Sequence, residues 1–380
     1  MTQKLVNDWD PRDASVLRDQ RRAYDEMRER CPVAHSEFMG WSLFRHGDIA
    51  AVLSEPTTYS NASRFLAIPN GMDPPLHARY REALSIFFEQ RQMDRLEPRA
   101  RDLVASLLGP ALATAELDVV DAFATPFVLK TLCAWLGWPE QQWQCLGGWI
   151  HGNQQVAFSR DHAAGAALAS LFSEHVKANL TAHRAAHYGE ADATDLLLMT
   201  NVDGKPFDDD EIVSILRNWT AGQGTVAAAL SILIMHLAQD AAMQDRLRRT
   251  PSLIPAAIEE ILRADGPLVA NRRVTLRDVE IQGRRISKGE GVTLMWIAAN
   301  RDPREFENPE TITIERDLSN GLVWGMGIHV CQGAPLARLQ MRVALEELLA
   351  RTSRVELAAA RTRRGPYPSN GFETFSLRVS

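Results

Sequence analysis

Between Asp208 and Gln239 the chain carries a single helical pattern long enough to dictate the shape of whatever surrounds it. It opens on Asp208-Asp209-Asp210-Glu211, and acidic side chains suit the positive end of a helix dipole. A helix of about 30 residues is about 45 Å long, enough to cross the body of a protein of this size. From Ala221 to Met235 nearly every residue is apolar or small, so the rod must be buried on most sides. The expected fold is therefore mainly helical around one long central helix, about 208–239.

Other stretches read the same way. Helical patterns cover residues 12–30 (ended by Cys31-Pro32), 76–108 (broken near Arg91), 115–150 (punctuated by Pro126 and Pro139), 160–188, Pro251 to Ala264 and Ala334 to Arg351. Trp41 to Phe44 reads as a short strand. Over residues 272–293 the period changes to alternation through Val274, Val279, Ile281, Ile286 and Val292. Gly283 and Lys288-Gly289 supply turns there, which indicates a small β region. Ala299 to Asn320 is irregular. No repeat, low-complexity tract or linker divides the 380 residues, so a single domain over 1–380, mainly α with small β-sheets, is expected.

A net charge of −6 argues against a surface built to cover phosphate backbones, so no nucleic-acid partner is expected. Cys31, Cys133, Cys145 and Cys331 form no C-x-x-C pair and no disulfide framework, which fits a reducing compartment. The first residues carry no apolar run, and the apolar stretch Leu230 to Leu237 is too short to span a bilayer. No membrane association and a cytoplasmic location are expected.

The chemistry concentrates in Trp324-Gly325-Met326-Gly327-Ile328-His329-Val330-Cys331-Gln332-Gly333, directly before the helix that begins at Ala334. Glycines let the backbone take positive φ and approach a flat group closely. A cysteine just before a helix N-terminus sits in a positive field that favours the thiolate, and backbone N–H groups there can tune the sulfur. A thiolate ligand to haem iron requires these conditions. A glycine-rich turn around a buried structural cysteine meets them too.

Over residues 325–333 the segment resembles the haem loop of the cytochrome P450 family, F-G-x-G-x-H/R-x-C-x-G, with Trp324 at the usual Phe. The resemblance extends from about residue 10 to the end. It implies a single triangular haem-binding domain, haem b as cofactor, and Cys331 as the iron's proximal ligand within a haem loop, 324–333, framed by Trp324, Gly325 and Gly333. Glu260 and Arg263 match the family's E-x-x-R. Residues three apart share a helix face and can pair; the resemblance adds Arg316 as their partner and gives the three a structural role. Asp73-Pro74-Pro75-Leu76-His77 resembles D-P-P-x-H, which assigns His77 and Arg81 to the haem propionates, with Arg273 and His329 as further contacts. Charge-assisted hydrogen bonds suit that task.

Within the long helix, Ala221-Gly222-Gln223-Gly224-Thr225 contains two glycines that each cost about 1 kcal/mol relative to alanine. Close packing against another helix would explain them. The resemblance instead makes room there for haem and dioxygen, turns Ala221 and Thr225 toward the distal side, and gives the Thr225 hydroxyl a part in proton delivery. The chain departs from the family at Gly224, where Asp or Glu usually precedes the threonine. Oxygen insertion into a small, largely apolar organic substrate is the leading expectation. The missing acid favours, as alternatives, a peroxide-driven oxygenation or an oxidative coupling without oxygen insertion; non-enzymatic haem binding is a third reading.

The stretch Ser60 to Asp73 corresponds to the loop over the distal pocket, so Phe65, Leu66 and Ile68, with Val269 and Ala270, are the pocket candidates. With no fused flavin or iron–sulfur domain expected, electrons come from separate proteins or from peroxide. Arg79, Arg91, Arg95, Arg338 and Arg342 could form a basic patch for an acidic ferredoxin served by its reductase. Scattered, solvated arginines are the plainer reading of the same residues.

Overall fold

The long helix is the axis of the fold. In the computed structural model, which describes residues 7–185, 191–358 and 362–380, it spans Asp209–Gln239. Asp208 caps it. The Asp208 carboxylate accepts from the Glu211 N–H at 2.9 Å, and the Glu211 carboxylate accepts from the Asp208 N–H at 3.0 Å. This reciprocal box satisfies donors that every helix start leaves open. Ile212, Ile215, Leu216, Leu230, Ile232 and Leu233 are completely buried. By length and composition the helix could cross a membrane, but its apolar surface is spent inside the protein.

Gln90–Thr114, Thr125–Leu136, Ile254–Ala264 and Ala334–Arg351 are among the helices that share the main core with it. Trp143–Ser159 and His162–Ala185 cover its other side. Burying apolar area at about 25 cal/mol per Å² is what holds such a bundle together. The helix expected at Ala334–Arg351 has those bounds.

Several boundaries differ from expectation, each for a local reason. Residues 12–30 split at Asp19, whose side chain caps Gln20–Arg30 by accepting from the Arg22 N–H. The break expected near Arg91 lies earlier: Leu76–Ala83 runs into a tight turn, Ser85–Phe88, and extended Glu89 starts the next helix. Pro251–Leu253 is a separate turn before Ile254–Ala264. The pattern over 160–188 gives His162–Ala185, and its last residues lie outside the described ones. Glu116–Asp118, within the stretch read as helix, is a strand. Left-handed Ala115 (φ 59°) ends the preceding helix, and Leu117 pairs with Leu377 at the far end of the chain.

The larger sheet has the order Val33–Ser36, Gly40–Leu43, Gly291–Met295, Ala270–Thr275, Tyr59–Ser60. The Gly40–Leu43 and Gly291–Met295 strands are parallel and the other pairs antiparallel. Arg273 stands opposite Val292 in this register. A smaller sheet, Val355–Leu357, Ser376–Val379 and Glu116–Asp118, was not anticipated.

Candidate active site

The Cys331 loop is folded by its glycines. Gly325 and Gly327 take φ of +73° and +70°, and a Cβ on Gly327 would lie 2.8 Å from the Leu53 carbonyl oxygen. The Cys331 N–H donates to the Trp324 carbonyl at 2.8 Å, closing the loop on itself. Cys331 is accessible on the side it turns to the site and enclosed by protein elsewhere. Burial pushes its thiol pKa up, against the N–H groups of Gly333 and Ala334 and the positive charges of Arg81 and Arg338. Those N–H groups belong to the start of Ala334–Arg351, where the expected positive field lies.

Four cationic or basic side chains gather beside this sulfur. His77 and His329 have ring centroids 4.2 Å apart. His77 Nε2 and His329 Nδ1 are buried with no hydrogen-bond partner. Burial is the largest cause lowering both imidazole pKa values, followed by Arg81 for His77 and by the His77 ring and Arg273 for His329, which falls to about 3. Arg81 donates to the Val330 carbonyl, and Gln332 Nε2 donates back to the Arg81 carbonyl at 2.9 Å. Buried Arg273 donates to Asn61 Oδ1 at 2.9 Å. Two orphaned imidazole nitrogens between two guanidinium groups are costly unless an anion satisfies them.

A cavity of about 500 Å³ lies between the loop and the central helix. Ala221, Gly222, Gly224 and Thr225 line it from one side; Trp324, Gly325, His329, Cys331 and Gly333 from the other; Arg273 closes an edge. The expected haem-loop and distal-helix residues thus meet at one cavity, while His77 and Arg81 line an adjoining open cleft of about 920 Å³ that also reaches Cys331.

The two helix glycines serve different ends. A Cβ on Gly222 would have nothing within 4 Å, whereas one on Gly224 would lie 2.7 Å from Ile150 Cγ2. Trp143–Ser159 therefore packs directly on Gly224, and an acidic side chain there would strike Ile150. Gln223 is buried and accepts from Gln340 Nε2 at 3.0 Å.

Glu260, Arg263 and Arg316 come together as expected. Glu260 accepts from Arg263 at 2.7 and 2.9 Å, from Arg316 Nε at 3.0 Å and from the Thr313 N–H at 2.9 Å, with Glu260 and Arg263 fully buried. Burial opposes ionisation of Glu260, but these donors outweigh it and hold its pKa low. Arg263 also donates to the Asn300 carbonyl at 2.9 Å, bracing the stretch that leads to the loop.

Other candidates fall elsewhere. Phe65 is 76 % exposed and Leu66 46 %. Ile68 is buried in the main core, and Val269 and Ala270 in a second core beside Phe38 and Met295. None of the five lines the cavity; their neighbours Pro69, Asn70, Leu268 and Asn271 do. The loop is turned this way because Ser214 accepts from the Ile68 N–H at 2.9 Å and Asn218 donates to the Ile68 carbonyl at 2.7 Å. The arginines proposed as a basic patch are paired: Arg79 with Asp203, Arg91 with Glu89, Arg338 with Glu259 and Arg342 with Glu97. Glu259 was missed. It accepts from the Trp324 indole N–H at 2.7 Å, and Arg338 stacks 4.7 Å from that ring. A tryptophan at a phenylalanine position brings an N–H that needs an acceptor, and that was the available signal.

Comparison with known proteins agrees with this geometry. The Cytochrome P450 family model matches residues 252–364. The erythromycin C-12 hydroxylase of Saccharopolyspora erythraea is 33% identical over 87% of this chain and 86% of its own length. The cyclomarin C epoxidase CymV of Salinispora arenicola is 31% identical over 87% and 88%. The crystal structure of CalO2 superposes with a TM-score of 0.87 at 30% identity, covering 99% of both chains. A mutant of P450 EryK in complex with erythromycin B gives 0.86 at 28%, covering 95% and 96%. The chain belongs to the cytochrome P450 family, and is accordingly a haem-binding monooxygenase of the helical P450 fold.

Proposed function

We propose that the chain oxygenates a small organic molecule held in the cavity between the central helix and the Cys331 loop, with haem b bound through the Cys331 thiolate. The observation that carries this assignment is the pair of buried, partnerless nitrogens of His77 and His329 set among Arg81 and Arg273 beside Cys331. Such a cluster fits a group bearing two carboxylates, as haem b does, and the four side chains would hold its propionates. Bound there, haem b would supply the redox centre at which dioxygen, two electrons from a separate donor and two protons yield the oxygenated product and one water.

The protein's own part follows from its geometry. The N–H groups of Gly333 and Ala334 stabilise charge on sulfur. Gly222 leaves space on the cavity side of the helix, and Gly333, whose Cβ would lie 3.9 Å from Phe88, keeps the loop backbone low. Thr225 offers a hydroxyl that can hold water and pass a proton. Glu260, Arg263 and Arg316 fix the approach to the loop and touch no reacting atom. The residue assignments are tested by the carbon monoxide difference spectrum of the reduced protein. The far-red-shifted Soret band of a thiolate complex is expected, and its loss in Cys331→His with retained haem is required; a folded wild-type protein lacking that band overturns the proposal.

One observation favours a second reading. Among the described residues lining the cavity there is no Asp or Glu, and Gly224 is closed to one by Ile150. Peroxide, which brings its own electrons and protons, would bypass that gap. Product formation with hydrogen peroxide alone, against a reductase system, separates the two routes. For the reductase route the proposed donor is an acidic ferredoxin with its reductase. Because Arg79, Arg91, Arg338 and Arg342 each pair with a carboxylate, its association should depend only weakly on ionic strength.

A further inference from the structure

The cavity wall opposite the Cys331 loop has a chemical character that no comparison assigns. Asn218, Ala221, Gly222 and Thr225 lie at helical spacings of three, four and seven residues, so they form one stripe of the central helix. Asn218 is oriented by donating its amide nitrogen to the Ile68 carbonyl at 2.7 Å, which leaves its amide oxygen unspent. From the crossing helix Trp143–Ser159, Asn153 and Gln154 also line the cavity. Gln154 Nε2 lies 3.4 Å from where a Cβ of Gly224 would be, which puts this amide directly beside the residue preceding Thr225. Among the described residues no hydrogen-bond partner engages the Gln154 amide.

The rest of the wall sets limits on what can be bound. Among the described residues it contains no Asp, Glu or Lys, and Arg273 and His329 are its groups of fixed or potential positive charge. Both are committed to the cofactor's carboxylates in the proposed function, on which this inference rests. An ionised ligand would therefore enter without a counter-charge, which is costly in an enclosed site. Phe88, Trp135 and Trp219 line the same cavity as one packed aromatic group, with Trp135 and Trp219 centroids 4.8 Å apart and Phe88 at 5.4 and 5.5 Å from them. Phe88 also lies 3.9 Å from where a Cβ of Gly333 would be, so this aromatic group borders the Cys331 loop, on the cofactor's side of the cavity. An amide side chain on a wall without a counter-charge discriminates sharply, because a ligand without a matching group leaves it desolvated and unpaired.

We propose that the substrate is an uncharged carboxamide or lactam, recognised by the Gln154 side chain, which can donate to its carbonyl and accept from its N–H. Gln154 is then a specificity-determining residue of this chain. It occupies the place beside Thr225 that an acidic residue at 224 would otherwise fill.

The test is calorimetric binding of a matched set to the holoenzyme: indole-3-acetamide, indole-3-acetate and 3-ethylindole. The amide is expected to bind at least about tenfold more tightly than either of the others, the size of one well-made buried hydrogen bond. In Gln154→Leu the amide should fall to within about threefold of 3-ethylindole, while 3-ethylindole itself is unchanged. Gln154→Glu keeps the side chain's shape and loses the N–H donor, so it should lower amide affinity and weaken the acetate further. The inference is overturned if the acetate or 3-ethylindole binds as tightly as the amide, if none of the three binds, or if the amide preference survives both substitutions. The carbon monoxide band of the same samples reports separately on the Cys331 assignment, so the two failures are distinguishable.

Discussion

At the residue scale the site is a set of side chains whose ordinary partners are missing. His77 and His329 were read from motif positions, and each has a buried nitrogen with no partner. Arg273 donates to Asn61 Oδ1 and to the Arg272 carbonyl, both neutral acceptors, so its charge is available to a propionate; replacing it by leucine should weaken haem retention by about tenfold or more, the size of one charge-assisted hydrogen bond. Transfer of haem to a competing apoprotein measures this. Thr225→Ala should divert electrons from product into released peroxide, read as the ratio of product formed to reductant consumed. Full coupling in that variant would remove Thr225 from proton delivery. The pocket candidates Phe65, Leu66, Ile68, Val269 and Ala270 show the limit of reading residues by position. Apolar character gave no hint of which way a loop faces, and hydrogen bonds from Ser214 and Asn218, far away in the chain, turned their neighbours inward instead.

At the element scale the decisive contact is the crossing of Trp143–Ser159 over the central helix at Gly224. A glycine-to-alanine change inside a helix ordinarily gains about 1 kcal/mol. Gly222→Ala should show that gain, because its Cβ meets nothing within 4 Å. Gly224→Ala should instead lose about 1–3 kcal/mol, since its Cβ would stand 2.7 Å from Ile150 Cγ2. Adding Ile150→Ala should recover part of that loss. Urea unfolding of the four proteins checks the opposite signs. Of the two explanations offered by the sequence, close packing holds at Gly224, while Gly222 borders open space. The helices themselves were legible because amphipathic periodicity and capping are local. Strand Glu116–Asp118 was not, because its partner Ser376–Val379 lies at the other end of the chain.

At the scale of the whole molecule, buried ion pairs join distant segments. Glu260 links Ile254–Ala264 to Thr313 and Arg316; Glu260→Ala should cost about 3–5 kcal/mol, because it leaves the buried Arg263 charge uncompensated. Asp265 accepts from Arg364 at 2.6 and 3.0 Å and from Asn370 at 2.8 Å, lies 3.1 Å from Arg21 and 3.0 Å from His236, and is fully buried. Burial alone would raise its pKa, but His236 and Arg364 outweigh that and hold it well below the usual carboxylate range. Its folded pKa is therefore lower than its unfolded one, near 3.9. The stability it contributes is full above that pH and drains away as the pH falls toward the folded value. Asp265→Asn should thus be clearly less stable than the parent at pH 7, with the gap narrowing at pH values below about 4. Unfolding curves across that range decide it, and a gap independent of pH would refute it.

What the sequence determined alone was whatever depends on neighbours along the chain. The long helix and its acidic start, the glycine-bounded Cys331 before a helix N-terminus, and the i, i+3 pairing of Glu260 with Arg263 all follow from local periodicity and backbone freedom. Only the tertiary structure decided which loop faces the cavity, which glycine makes space and which makes contact, which strands pair across the chain, and that Arg79, Arg91, Arg338 and Arg342 each stand beside a carboxylate. Those outcomes turn on contacts between segments far apart in sequence, where packing and burial set the energy and no local pattern records the partner.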